Sequence, residues 1–182
     1  MNILIAGGGI GGLTAALALT QFGHDVTILE QADSLGEVGA GLQISPNGMK
    51  VFEALGLSDR IAATAFQPEG IEMRLGKSGR VVFDIPLGLA AADRWGAPYL
   101  HVHRADLVAA LSVELAERAP KAVRLGAKLA RYEQDDTGVT AVLDDGTRVA
   151  GDLLVGADGI HSVVRAQMLG PDSPRFTGNV AW

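Results

Sequence analysis

Three groups of residues in this sequence have the types and spacing to do chemistry. The first is Gly7-x-Gly9-x-x-Gly12, set between a short apolar run ending at Ala6 and an Ala/Leu-rich stretch that reaches Phe22. In that setting the first glycine permits a tight turn, the second lets backbone approach a pyrophosphate, and the third lets helix pack close to strand. N–H groups at the helix start, with the helix dipole, then hold the anion. The second group is a single carboxylate: Glu30 lies eighteen residues beyond Gly12, at the end of the next apolar run. There it can accept hydrogen bonds from ribose hydroxyls, and it would repel a 2′-phosphate. The third is Asp158-Gly159 in "LLVGADGIHSVVR" (Leu153–Arg165), where an apolar run meets a helix start. Asp158 either meets a ribose hydroxyl or bridging water there, or caps the helix. Gly159 lets the chain pass close to a ligand. These groups define a dinucleotide site without separating NAD from FAD.

Such a site needs strands that end at it and helices that begin there. The sequence predicts a strand at Asn2–Ala6, a helix at Ile10–Phe22 with Gly23 where a helix stops, and a strand at Asp25–Glu30. A glycine-rich loop follows over Ser34–Gln43, then a helix from Pro46 with Ser45 as its N-cap. Residues 70–85 read as a hairpin turned at Lys77–Gly79, and Pro86–Pro98 as a loop. "YLHVHR" is a short strand, and Ala105–Ala119 is an amphipathic helix with Leu107, Leu111 and Leu115 four apart, ended by Pro120. Three strands follow, near 123–135, 138–144 and 147–150, with turns at Asp136-Thr137-Gly138 and Asp144-Asp145-Gly146. A buried strand at 153–156 and a helix from about Ile160 to Met168 complete the pattern. The apolar strands suit a parallel sheet with helices on both faces. The alternating strands between 70 and 150 suit antiparallel sheets wet on one side. The expected class is α/β, a dinucleotide domain interrupted by insertions.

Composition narrows what the site can do. The chain has 182 residues, enough for one domain with a hydrophobic core or one domain and part of another. Its 48% apolar and 20% charged residues fit a soluble globular protein, and its net charge of −6 argues against a nucleic-acid partner. No cysteine is present, which removes disulfides, thiolate zinc sites and iron–sulfur clusters; redox chemistry would come from an organic cofactor, and a cytoplasmic location is the default. The uncharged stretch from Met1 to Gly23 raises the question of a membrane segment. It lacks the basic residue a secretory signal wants before its apolar run, and Gly7-Gly8-Gly9 disfavours a helix there by about 1 kcal/mol per residue.

Other constellations carry less. His101 and His103 share one face of a strand but have no third ligand of matching pattern, so no metal site is expected. A G-x-S-x-G elbow is missing, and the Asp135-Asp136 and Asp144-Asp145 pairs sit in turns rather than at a general-acid position. More informative is "GEVGAGLQISPNGMKVFEALGL" (Gly36–Leu57): closely spaced Gly36, Gly39 and Gly41 either let backbone lie against a flat, extended ligand or form a surface loop. Arg104, at a helix start, could offset pyrophosphate charge bidentately or stand on the surface.

Taken in order, "IAGGGIGGLTAALAL", "GEVGAGLQISPNGMKVFEALGL", "HRADL" and "GDLLVGADGIHSVVR" resemble the FAD-dependent aromatic hydroxylases, the single-component flavoprotein monooxygenases. The likeness is greatest to the salicylate, 3-hydroxybenzoate and 6-hydroxynicotinate hydroxylase branch and runs from residue 2 to residue 182. The resemblance implies that Gly9, Gly11, Gly12 and Leu13 cradle the FAD pyrophosphate, and that Glu30 holds the adenosine ribose with Gln31 beside it. It implies that Ala40, Gly41 and Gln43 line the path toward the flavin and that Arg104 reaches the cofactor from the start of its helix. Leu129 matches a position near the adenine, and Asp158 and Gly159 match a motif linked to both FAD and NAD(P)H. Arg165 would brace that motif.

By the same resemblance, NAD(P)H reduces FAD, and O2 then forms a flavin C4a-hydroperoxide that hydroxylates a small aromatic (phenolic) acid, a step of aromatic compound catabolism; the alternatives are another flavoenzyme of the same fold, an epoxidase or a dehydrogenase, or a nucleotide-binding fragment without catalysis of its own. Neither nucleic acid nor membrane is an expected partner, and the full-length protein would be a homodimer. Family members run to about twice this length, so catalytic residues are expected beyond Trp182, and the 182-residue chain alone is expected not to hydroxylate. The implied organisation is a Rossmann-like FAD-binding domain with a β-meander, in segments 1–67 and 104–168. A substrate-domain hairpin and loop span 68–103, and an antiparallel substrate sheet begins at 169–182, with "RFTGNVAW" as a strand start.

Overall fold

The computed structural model describes residues 1–36, 40–171 and 173–178. In chain order its elements are β1 (Asn2–Ala6), α1 (Ile10–Gln21), β2 (Asp25–Leu29), β3 (Gly41–Ile44), α2 (Pro46–Ala54), α3 (Ser58–Ala62), β4 (Gly70–Arg74), β5 (Val81–Pro86), α4 (Gly88–Trp95), β6 (Leu100–His103), α5 (Arg104–Arg118), β7 (Val123–Arg124), β8 (Leu129–Asp135), β9 (Gly138–Leu143), β10 (Arg148–Gly151), β11 (Leu153–Gly156) and α6 (Val163–Leu169). They form two compact units, Met1–Leu35 with Leu115–Trp182, and Gly36–Glu114. The boundary after Glu114 falls inside α5.

The first unit is built on a parallel sheet ordered β11-β1-β2-β7, with Ile5 opposite Ile28 on one side and Val155 on the other. Side chains alternate across β1, so Ile3 and Ile5 face one way and Leu4 and Ala6 the other. α1 covers the first face: Leu13, Ala16 and Leu17 are buried, and a Cβ on Gly12 would sit 3.5 Å from Ile5 Cγ2. On the second face Leu4, Ala6 and Leu29 share a core with Leu129, Tyr132, Val139, Ala141 and Leu143 of the antiparallel β10-β9-β8 sheet, and with Val164 of α6. Gly151 lets β10 cross that close; a Cβ there would lie 2.7 Å from Leu4 Cγ. The parallel sheet is thus covered on both sides, by a helix on one and mainly by the meander with α6 on the other. Two-sided cover is why β1 reads as a continuous apolar run. Fully burying one such aliphatic side chain stabilises by about 1.5–3 kcal/mol.

Several elements of this unit depart from expectation. The stretch predicted as one strand over 123–135 splits: β7 joins the parallel sheet beside β2, and Gly126, at φ 62°, breaks the chain before β8. β11 is not a buried strand, for it stands at the edge of the sheet among the described residues and Leu153 is 46% exposed. α6 starts at Val163, not Ile160, because Ser162 caps it by accepting the Arg165 N–H. Residues 173–178 form no strand, and the rest of the strand expected over 175–182 lies outside the described residues.

The second unit contains the antiparallel pair β3–β6, in register from Gly41 opposite His103 to Ile44 opposite Leu100, and the hairpin β4–β5. Its buried residues include Ile44, Met49, Phe52, Leu57, Ile61, Leu87, Ala91, Leu100, Val102 and Leu111. Part of the loop predicted over Ser34–Gln43 is strand β3, since Gly41–Ile44 finds a partner in β6; Gly39 lies outside the described residues. The loop predicted over Pro86–Pro98 contains α4, which Gly96 ends at φ 74°. The flanking prolines hide a helix of only two turns, anchored by buried Ala91. α3, five residues long, is too short to leave a periodic signal. Among the described residues no helix is long and apolar enough to cross a membrane.

Candidate dinucleotide site

The glycine run forms the turn its spacing predicts, and the close approaches identify which glycines the backbone requires. Gly7 has φ 100°, and a Cβ on it would lie 2.4 Å from the Ala157 carbonyl oxygen. At Gly12 a Cβ would lie 1.9 Å from the Gly7 carbonyl oxygen. Gly9 and Gly11 differ: nothing lies within 4 Å of a Cβ at either, so the outer face of the turn is open. The first bond within α1 runs from the Leu13 N–H to the Gly9 carbonyl at 2.9 Å. The N–H groups of Ile10, Gly11 and Gly12 precede it and so lack an acceptor within the helix. Gly9, Gly11 and Gly12 therefore belong to an anion-ready helix start. Leu13 differs, because it is fully buried and its N–H is taken up inside α1, so it supports the turn from below.

Glu30 extends from the end of β2 over this turn. Its Oε2 accepts the Gly8 N–H at 2.6 Å and its Oε1 accepts the Ala32 N–H at 2.8 Å. Gln31, next along, is exposed. Across the turn, Asp158 caps α6: Oδ1 accepts the Ser162 hydroxyl at 2.5 Å, and Oδ2 accepts the Val163 and Val164 N–H groups at 2.6 and 3.2 Å. Gly159 follows with φ 76° and open space about it. Arg165 braces its own loop, its Nη2 donating to the Ile160 carbonyl at 3.1 Å. Leu129 lies in the core beneath the meander. Gly8, Ala32 and Ser162, which hold the Glu30 and Asp158 carboxylates, are positions that the sequence motifs passed over; the run Gly7-Gly8-Gly9 was the available signal for Gly8.

The remaining predicted residues lie in the second unit. Gly41 and Gln43 are exposed on β3, with Gln43 opposite His101, and the Ala40 carbonyl accepts the Arg104 N–H at 2.9 Å. Arg104 is half-buried at the start of α5. His101 stacks edge-on against Tyr99 at 5.8 Å, and its Nε2 is buried with no hydrogen-bond partner among the described residues. This unit also holds an apolar cavity of about 430 Å³ lined by Pro46, Lys50, Ile71, Ile85, Trp95 and Tyr99. The turn aspartates are occupied locally: Thr137 holds the Asp135 carboxyl, and Thr147 the Asp145 carboxyl, below the usual carboxylate range by hydrogen bonding.

A parallel sheet with a glycine turn at a helix start, and an acid at the end of the second strand, is the structure of a dinucleotide-binding protein. The profile of the FAD binding domain family matches residues 1–178, and the chain belongs to that family. It is 41% identical over 182 residues to 3-hydroxybenzoate 6-hydroxylase of Polaromonas naphthalenivorans (strain CJ2), covering 100% of this chain and 45% of that protein. It is 36% identical over 181 residues to 6-hydroxynicotinate 3-monooxygenase of Pseudomonas fluorescens, covering 99% of this chain and 46% of that one. Among solved structures, Klebsiella pneumoniae HpxO complexed with FAD and uric acid shares 34% identity at a TM-score of 0.77, over 92% of this chain and 41% of that chain. The chain spans about half the length of the curated relatives it matches.

Proposed function

We propose that this chain is the FAD-binding portion of an NAD(P)H-dependent flavoprotein monooxygenase that uses O2 to hydroxylate a small aromatic acid. The observation that carries the reading is the open glycine face at Gly9 and Gly11 beside the α1 start, in a chain of the FAD binding domain family. The N–H groups about Gly9, Gly11 and Gly12 would hold the pyrophosphate, with Leu13 packing behind them. Glu30 would hold the adenosine ribose through lone pairs its backbone bonds leave open, with Gln31 beside it and Leu129 under the adenine. Ala40, Gly41 and Gln43 would line the flavin path, and the Arg104 guanidinium would offset phosphate charge. The buried, unpartnered Nε2 of His101 lies on a strand pair with Gln43 and supports a polar ligand there. Asp158 would act mainly by holding the loop that carries Gly159. FAD, when bound, supplies the redox chemistry between NAD(P)H and O2.

The substrate class rests on the relatives, two of which act on a hydroxybenzoate and a hydroxynicotinate by name. The cavity beside Trp95 and Tyr99 is large enough to admit an aromatic ring, and Lys50 in its lining would suit a carboxylate. On this reading the β4–β5 hairpin belongs to a substrate domain, and the working protein is a cytoplasmic homodimer. The test is a titration of FAD into the purified 182-residue chain, followed by flavin fluorescence. Saturable quenching that NAD⁺ does not reverse is the expected result; saturation by NAD⁺ without FAD binding would overturn it. Full-length protein assayed for O2 uptake with hydroxybenzoates, and with NADH against NADPH, would then identify substrate and reductant.

A further inference from the structure

Building on the cofactor reading above, we propose that Glu30 is a positioning residue for the phosphate turn as well as a ribose ligand. Its carboxylate fixes Gly8 and, through Gly8, the direction in which α1 presents its first N–H groups. Gly7-Gly8-Gly9 is the segment with the greatest backbone freedom in the chain's first helix–strand unit, so it loses the most on ordering. Two hydrogen bonds from the end of β2 order it: the Gly7 N–H donates to the Leu29 carbonyl at 2.8 Å, and the Gly8 N–H donates to Glu30 Oε2 at 2.6 Å. The first is an ordinary backbone bond. The second has a carboxylate acceptor, which makes it the stronger of the two.

The anchor itself is held. The Glu30 N–H donates to the Arg124 carbonyl at 3.0 Å, and the Glu30 carbonyl accepts the Ala127 N–H at 2.8 Å. Its other carboxylate oxygen is tied to Ala32. Gly8 is buried, and a Cβ there would lie 3.0 Å from Glu30 Oε2 and 2.9 Å from Leu35 Cδ2, so a side chain at this position would have to displace the acid or Leu35. A carboxamide at position 30 could accept from one of the two N–H groups and would turn an NH2 toward the other. The effect of Glu30 on nucleotide binding should therefore persist in part when the ribose hydroxyls it would contact are removed.

The experiment compares wild type, Glu30→Gln and Glu30→Ala in the full 182-residue chain. Amide exchange is read by NMR without nucleotide, and ADP and 2′,3′-dideoxy-ADP are titrated by calorimetry. Exchange at Gly8 should speed up about tenfold or more in both variants while Leu4 and Ile5 in β1 keep their protection. Both nucleotides should lose affinity in Glu30→Gln, ADP by the larger factor because it also loses its ribose contact. Unchanged exchange at Gly8, or a loss confined to ADP, would overturn the positioning role and leave a ribose ligand only. Should the wild-type chain bind neither nucleotide, the cofactor reading fails, and Gly8 exchange still decides whether Glu30 orders the turn. If Glu30→Ala does not fold, Glu30→Gln carries the comparison, because it keeps the volume and one acceptor.

Discussion

β1 and β5 are short strands of similar apolar composition in opposite surroundings. Ile3, Leu4, Ile5 and Ala6 are all buried, whereas every residue of β5 is exposed, Phe83 at 40% and Val82 at 51%. Each strand has β-branched residues that favour extended backbone, and β5 adds an aromatic one. What separates them is cover. β1 has hydrogen-bonded neighbours on both sides and packed layers on both faces, while β4 and β5 form a two-stranded sheet. Their pairing of Ile71 with Ile85 and Met73 with Phe83 gathers apolar side chains on one face. Strand propensity is therefore local, and burial is a property of what the rest of the chain brings over the strand.

Substitutions sharpen that contrast, and the largest effect is expected beside β1. Gly12→Ala puts a methyl 1.9 Å from the Gly7 carbonyl oxygen, which forces the turn away from the helix. A loss of roughly 4 kcal/mol in chemical denaturation, together with loss of FAD binding, is expected; near-wild-type stability would show that the turn yields. Ile5→Ala comes next, at roughly 3 kcal/mol, because the side chain is fully buried beneath α1. Asp158→Ala removes acceptors from two first-turn N–H groups of α6 and should cost about 1–2 kcal/mol. Phe83→Ala, the counterpart of Ile5→Ala, should cost less than about 1 kcal/mol in the same assay. An equal loss at Ile5 and Phe83 would erase the distinction between the strands.

The smallest effect lies at the surface of the meander. Arg148, and then Arg131, hold the Glu133 carboxyl down to about 2 from the ordinary 4.5. A depressed folded value means that the group's contribution to stability is fully present above pH 4.5 and fades as pH falls toward 2. NMR titration of Glu133 should show the low value, and Arg148→Ala should return it toward 4.5 with little change in the denaturation midpoint at pH 7. A Glu133 that titrates normally in the wild type would remove this link.

Most of the glycine turn was legible in the sequence, because its requirements are local. Gly7 and Gly12 are glycines for steric reasons that hold wherever strand, turn and helix meet. Glu30 was legible by its position at a strand end, although its bonds to Gly8 and Ala32 were not, since they depend on how the side chain folds back. α4 was missed because Pro86 and Pro98 signal a loop while its helical character rests on burial of Ala91. For Asp158 the sequence left ribose ligand and helix cap open; Ser162, Val163 and Val164 converge on it as a cap.

The amino-acid sequence by itself determined the strand–turn–helix, the acid that faces it and the α/β class, since these follow from side-chain size, backbone freedom and period. Tertiary structure alone decided that β7 joins the parallel sheet, that the meander covers the face of Leu4 and Ala6, and that β11, with Leu153 exposed, is an edge strand among the described residues. The physical reason is range. A glycine's freedom acts over a few bonds, whereas burial and sheet order depend on residues more than a hundred positions away, as Leu4 against Gly151 demonstrates.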